Sequence, residues 1–212
     1  MKKETDHGKL RAILAFFIIF FSLLGVSDVK QRDWLNKEIK AFEQYVDDDA
    51  FTSVVNRTNS WFYYINENMG LREWLMDTFI PETNSNNPGV KKINKLAPYL
   101  ARFANNIQNN IYLILYRSSN LFFWVAMLWP LLLAVLYDGY NMWEIKRYSF
   151  GQIDSAKYAI SKSSTTFVAG LLLVYIFAPI PLSDVAVLLP LIVLVLLSLV
   201  FKRTIIGYKK VV

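Results

Sequence analysis

The stretch TTFVAGLLLVYIFAPIPLSDVAVLLPLIVLVLLSLVF, residues 165–201, decides the fold. It has one charge, Asp184, and a turn of Ser183 and Asp184 between two apolar runs. A bilayer core about 30 Å thick takes roughly 20 apolar residues as a helix. Residues 165–183 and 185–201 therefore read as a membrane hairpin, with Pro179 and Pro181 ending its first arm at the far interface.

Two further apolar segments lie upstream. Residues 121–137 (LFFWVAMLWPLLLAVLY) carry Trp124, Trp129 and a mid-span Pro130, and residues 12–27 carry no charge between Arg11 and Asp28. The expected fold is all-α and integral to the membrane, with four transmembrane helices and a helical extracytoplasmic insert between the first two. Its segments are a stub and first span at 1–27, a helical domain at 28–120, a span at 121–137, a loop at 138–164, spans at 165–183 and 185–201, and a tail at 202–212. Composition agrees, with 54 % hydrophobic residues, 15 Phe, 12 Tyr and 6 Trp in 212 residues. Segment 12–27 also has features of a secretory signal, with Gly25-Val26-Ser27 as its cleavage site. The missing small-residue pair favours an uncleaved anchor.

Charge sets the orientation, because basic loops stay in the cytoplasm. The stub, the loop and the tail together hold 12 basic residues against Glu4, Asp6, Asp138, Glu144 and Asp154, whereas residues 28–120 hold 11 of each sign. Both termini and the middle loop are expected on the cytoplasmic side of a bacterial inner membrane, and residues 28–120 in the periplasm. The excess positive charge is juxtamembrane, so it sets topology and attracts anionic lipid, and no direct nucleic-acid binding is expected.

The segment 28–120 reads as helices. In residues 29–46, Trp34, Leu35, Ile39, Phe42, Tyr45 and Val46 recur at helical spacing. One of Asp47, Asp48 and Asp49 is expected to cap the next helix, over residues 51–66. The triple Asp is a poor metal site, since neighbouring side chains diverge and the calcium-loop spacing is missing. A third helix is expected over 71–80, followed by a turn-rich linker broken at Pro88-Gly89. Beyond it, Ile93, Leu96, Leu100, Phe103, Ile107 and Ile111, continued by Ile114, form a packing stripe on a helix that runs almost continuously into the second span. A stripe this long calls for a partner helix, in another copy of the chain or in another subunit. The aromatics at 61–64 cannot share one helix face and are read as packing or membrane-interface groups.

Chemistry is sparse. None of the four apolar segments contains a charge or a His, the chain has no Cys, and its one His, His7, lies in the charged stub. No HExxH, GxSxG or GxxxxGK[ST] pattern occurs. No catalytic residue, metal or cofactor is expected, and the protein is read as non-enzymatic. Prolines 130, 179, 181 and 190 free backbone carbonyls that neighbouring helices are expected to satisfy.

The loop after the second span carries Asp138-Gly139, Lys146-Arg147, Phe150-Gly151, Ser155 and Ala156-Lys157, followed by a Leu- and Val-rich hairpin with Pro179, Pro181 and Pro190. In this order of features the last 90 or so residues resemble a family of membrane proteins from integrating conjugative elements and conjugative plasmids, often encoded beside the coupling-protein ATPase. The chain departs from that pattern where Tyr148-Ser149 separates the basic pair from Phe150-Gly151 and where Gln152-Ile153 stands for Gly and a charged residue. The resemblance implies a part in conjugative DNA transfer near a type IV secretion channel or its ATPase. Asp138, Gly139, Lys146, Arg147, Phe150, Gly151, Ser155 and Lys157 are the expected partner-docking residues. An alternative role is an entry-exclusion or regulatory factor that senses a mating apparatus through residues 28–120.

Overall fold

The computed structural model describes residues 27–79, 88–148, 155–179, 181–183 and 185–207. Every regular element among them is helical. Helix α1 spans Asp28–Tyr45, α2 Asp48–Tyr63 with a π-helical turn at Tyr64–Asn68, α3 Leu71–Phe79, α4 Pro88–Tyr148, α5 Ser155–Phe177 and α6 Val185–Gly207.

Three of these helices are long and apolar enough to cross a membrane: α4 over Pro98–Lys146, α5 over Tyr158–Phe177, and α6. Among the described residues there are thus three such helices, where the sequence predicts four spans over the whole chain. Residues 12–26 of the remaining expected span lie outside the described residues.

Local chemistry accounts for most helix ends. Val46 turns extended at φ −125°, ψ 161°, which closes α1. Asp47 occupies the cap position of α2 at φ −71°, ψ 159°, but its side chain makes no capping hydrogen bond. Asp48 and Asp49 lie in the first turn of α2, where the helix dipole favours acidic groups. Pro88, read from sequence as a break, instead begins α4. Its fixed φ suits the first helical turn, where the absent N–H costs nothing.

Helix α4 has 61 residues and holds Pro98 and Pro130 inside it. At 1.5 Å per residue it is about 90 Å long, so it extends well beyond a single bilayer crossing. It is continuous through the expected boundaries at 120/121 and 137/138.

Helix α6 lies parallel to α4, with Val187 beside Trp124 and Lys202 beside Gly139. Helix α5 runs back along α6, so that Tyr158 meets Gly207. Glycine permits both close approaches. A Cβ on Gly139 would stand 3.2 Å from Lys202 Cγ, and one on Gly207 3.3 Å from Tyr158 Cδ2. Gly170, in the middle of α5, has open space where its Cβ would be.

At the opposite end, α1 packs on α4 and α6, and α2 packs on α4. Ala41, Phe42, Val54, Tyr116 and Val187 form the buried core there. Phe42 lies edge-on to both Tyr116 and Phe123, at centroid distances of 6.5 and 5.7 Å. Helix α3 joins higher on α4 through Phe79 against Phe103.

Candidate functional site

The core at the turn end of the hairpin surrounds a set of polar groups that would be costly to bury alone. Arg117 is 0 % exposed and Glu38 1 %. Arg117 is the only charged residue between Arg102 and Asp138. Glu38 lies on the face of α1 that also buries Gln31, Ala41 and Phe42. The two meet fork to fork: Arg117 Nη2 donates to Glu38 Oε1 at 2.6 Å and Nε to Oε2 at 3.1 Å. Two parallel bonds fix orientation as well as charge.

The rest of the guanidinium caps a helix. In α5 the carbonyl of Tyr175 would accept from residue 179, but Pro179 has no N–H. Arg117 Nη1 fills that position at 2.8 Å. The same Nη1 donates to Ala178 O at 2.6 Å, while the Leu182 N–H turns to Glu38 Oε1 at 3.2 Å. The ion pair therefore supplies both a donor and an acceptor to the chain reversal between α5 and α6. Ser183, at φ 44°, lies in that reversal.

A second proline vacancy is filled one layer deeper. Pro190 leaves the Ala186 carbonyl without its helical donor. Tyr175 Oη donates to Ala186 O at 3.2 Å, Asn120 Nδ2 reaches the same oxygen at 3.4 Å, and Asn120 Nδ2 also donates to Tyr175 Oη at 3.1 Å. Trp124 Nε1 donates to Val187 O at 3.0 Å. On the α2 side Ser119 Oγ donates to Val54 O at 3.0 Å, and Tyr112 Oη to Asn59 Oδ1 at 2.7 Å. Residues 112–124 of α4 thus fasten α1, α2, α5 and α6 to one helix. This is fastening chemistry: the oxygens of Glu38 face Arg117 and a backbone N–H.

The residues expected to dock a partner are distributed differently. Asp138 pairs with Lys202, and Gly139 packs against the same lysine. Both are engaged within the bundle. Lys146 is exposed near the end of α4, the helix on which the Tyr140 and Trp143 rings lie 5.8 Å apart. Arg147 is helical, as are Ser155 and Lys157 in the first turn of α5, whereas Phe150 and Gly151 lie outside the described residues. Along the expected stripe, Ile93 and Leu96 fall on the first turns of α4, and Leu100, Phe103, Ile107 and Ile111 are half-buried. The fully covered positions lie beside that stripe, at Ala104, Asn106, Tyr116, Arg117, Ser119 and Asn120.

Arg117 and Glu38 are not legible in a charge count, which enters them only as two of the 22 balanced charges of residues 28–120. Two signals were present: a lone cation in a long uncharged run, and an acid on the inner face of an amphipathic helix. Among the described residues no group of three or more His, Cys, Asp or Glu side chains is placed to hold a metal ion. The triple Asp at 47–49 is exposed.

No curated protein and no solved structure matches the chain. One family model does, that of the IncC plasmid conjugative DNA transfer protein DtrJ-like, over residues 26–205. This match covers α1–α3, the Arg117–Glu38 pair, α4, α5 and α6 up to residue 205, so the chain belongs to the DtrJ-like family of conjugative DNA transfer proteins.

Proposed function

We propose that the protein is a non-enzymatic inner-membrane component of the conjugative type IV secretion apparatus that joins partners on the two sides of the membrane. In this reading α1–α3 lie in the periplasm, and the end formed by Lys146, Arg147, Lys162, Lys202 and Arg203 is cytoplasmic and docks the coupling ATPase or a channel subunit. The family supplies involvement in conjugation. The observation that carries the joining role is the buried pair Arg117 and Glu38, which ties α1 to α4 and to the reversal of the α5–α6 hairpin. Breaking such a pair costs about 3–5 kcal/mol, so the helices it joins move together. The basic residues at the other end suit the cytoplasmic side.

Affinity-tagged full-length protein, extracted in mild detergent from cells carrying the whole element, tests this. Co-purification of the coupling ATPase or channel subunits, lost when Lys146→Glu and Arg147→Glu are combined, is the expected result. Recovery of the chain alone, with normal DNA transfer in its absence, would sink the proposal. If only recipient behaviour changes, the protein is an exclusion factor instead.

A further inference from the structure

Helices α1 and α4 run side by side in the same direction. Glu38 pairs with Arg117, and Gln31 lies across from Asn110, an offset of 79 residues at both points. Asp28, where α1 begins, therefore stands level with Ile107, and Tyr45, where it ends, level with Trp124. The apolar run of α4 starts at Leu121. The chain thus enters α1 about 21 Å outside that boundary, at 1.5 Å per helical residue. The outer face of α1 agrees: Lys30, Arg32, Asp33, Lys37, Lys40 and Glu43 are all exposed, as suits a face in water.

This placement is incompatible with residues 12–26 as a membrane anchor. Bounded by Arg11 and Asp28, that segment would measure about 22 Å as a helix, and a bilayer core takes about 30 Å. The 21 Å from the membrane to the start of α1 would also have to be covered. An extended link does so in about six residues, which leaves roughly nine for the crossing. Continued as a helix away from the membrane, the segment would hold its Ile, Leu and Phe side chains in water.

We infer that the Ser27–Asp28 peptide bond is a processing site, at which a secretory signal peptidase releases residues 1–27; this rests on the periplasmic placement of α1–α3 proposed above. Water adds across the bond, leaving a carboxylate on Ser27 and a free amino group on Asp28. The released piece has a basic start, an apolar stretch of the length such signals use, and Gly25 and Ser27 at the two positions that take small side chains. Cleavage there leaves α1 whole, since α1 begins at Asp28. Ser27 makes no side-chain cap, so α1 loses only the bond from the Gln31 N–H to the Ser27 carbonyl. The family match begins at residue 26, so nearly all of the released piece lies outside it.

The test is intact mass and amino-terminal sequencing of protein carrying a carboxy-terminal tag, purified from membranes of cells that carry the whole element. The expected chain begins at Asp28. A chain that retains residues 1–27, or one cut elsewhere, overturns the inference. Ser27→Tyr puts a bulky side chain at the cut and should turn most of the protein into the uncut form, whereas unchanged cleavage before Asp28 would contradict recognition of this site. Asn36→Cys, in a chain otherwise without cysteine, separates this failure from that of the periplasmic reading. An uncut chain that a membrane-impermeant maleimide labels at position 36 from outside the inner membrane rejects the processing alone. An uncut and unlabelled chain rejects both.

Discussion

The two ends of the helical bundle are held by different means. At the turn end of the hairpin the fastening is buried: a fully enclosed Arg117–Glu38 pair, two proline-freed carbonyls filled by side chains, and the aromatic core around Phe42. At the basic end helices meet through close backbone approach at Gly139 and Gly207, a Thr165–Thr204 hydroxyl contact of 2.9 Å, and the Lys202–Asp138 pair, whose side chains are 26 % and 52 % exposed. Buried pairs are worth several kcal/mol to break, and exposed ones about 0–1 kcal/mol. One end is therefore specified by interlocking polar groups, and the other keeps its cations at the surface.

The largest effect should come from breaking the buried pair. Arg117→Leu leaves the Glu38 carboxylate enclosed and uncompensated, and Glu38→Leu strands the guanidinium, so each should lower stability by about 3–5 kcal/mol. The double variant should recover much of that loss but not all of it, since the Tyr175 and Ala178 carbonyls stay uncapped. Denaturation of all three variants in one detergent gives the coupling energy. Strictly additive losses would mean that the two side chains act separately.

Next comes the proline vacancy. Tyr175→Phe removes a donor to Ala186 O and should cost about 1–3 kcal/mol. In a Pro190→Ala background, where residue 190 regains an N–H for that carbonyl, the same change should cost clearly less. An equal cost in both backgrounds would show that Tyr175 acts through packing alone. At the basic end, Lys202→Ala should change stability by no more than about 1 kcal/mol, and that small effect should vanish in high salt. A loss as large as that of Arg117→Leu would erase the distinction between the ends. The smallest change is expected from Gly139→Ala, because the atom nearest the new Cβ is the Cγ of a flexible lysine, with its Cα 3.4 Å away. A large loss would show that the backbones cannot separate.

How far each end was legible in the sequence follows from the range of its contacts. Helices α1, α2 and α3 could be read because their apolar spacing and breaks are local, and the hairpin because its turn is short. Charge marked residues 121–137 as a span, but a helix has no reason to stop where hydropathy changes, so α4 runs on to Tyr148 through the residues read as a loop. The prolines announced which carbonyls would lack donors. They gave no indication of which side chains would answer, since Arg117 lies 58 residues from Tyr175 and 79 from Glu38. Asp138 and Gly139 resembled surface loop residues because Lys202, which engages both, is distant in sequence.

If Arg117 makes α1 and the α5–α6 hairpin one mechanical unit, the distance between them is fixed while the guanidinium is in place. The chain contains no cysteine, so spin labels at Asn36→Cys and Val185→Cys report on those two elements without background. Pulsed EPR on the doubly labelled protein in lipid nanodiscs should give one narrow distance distribution that broadens when Arg117→Leu is added. A distribution already broad with Arg117 present, or one unchanged by its loss, would contradict the account.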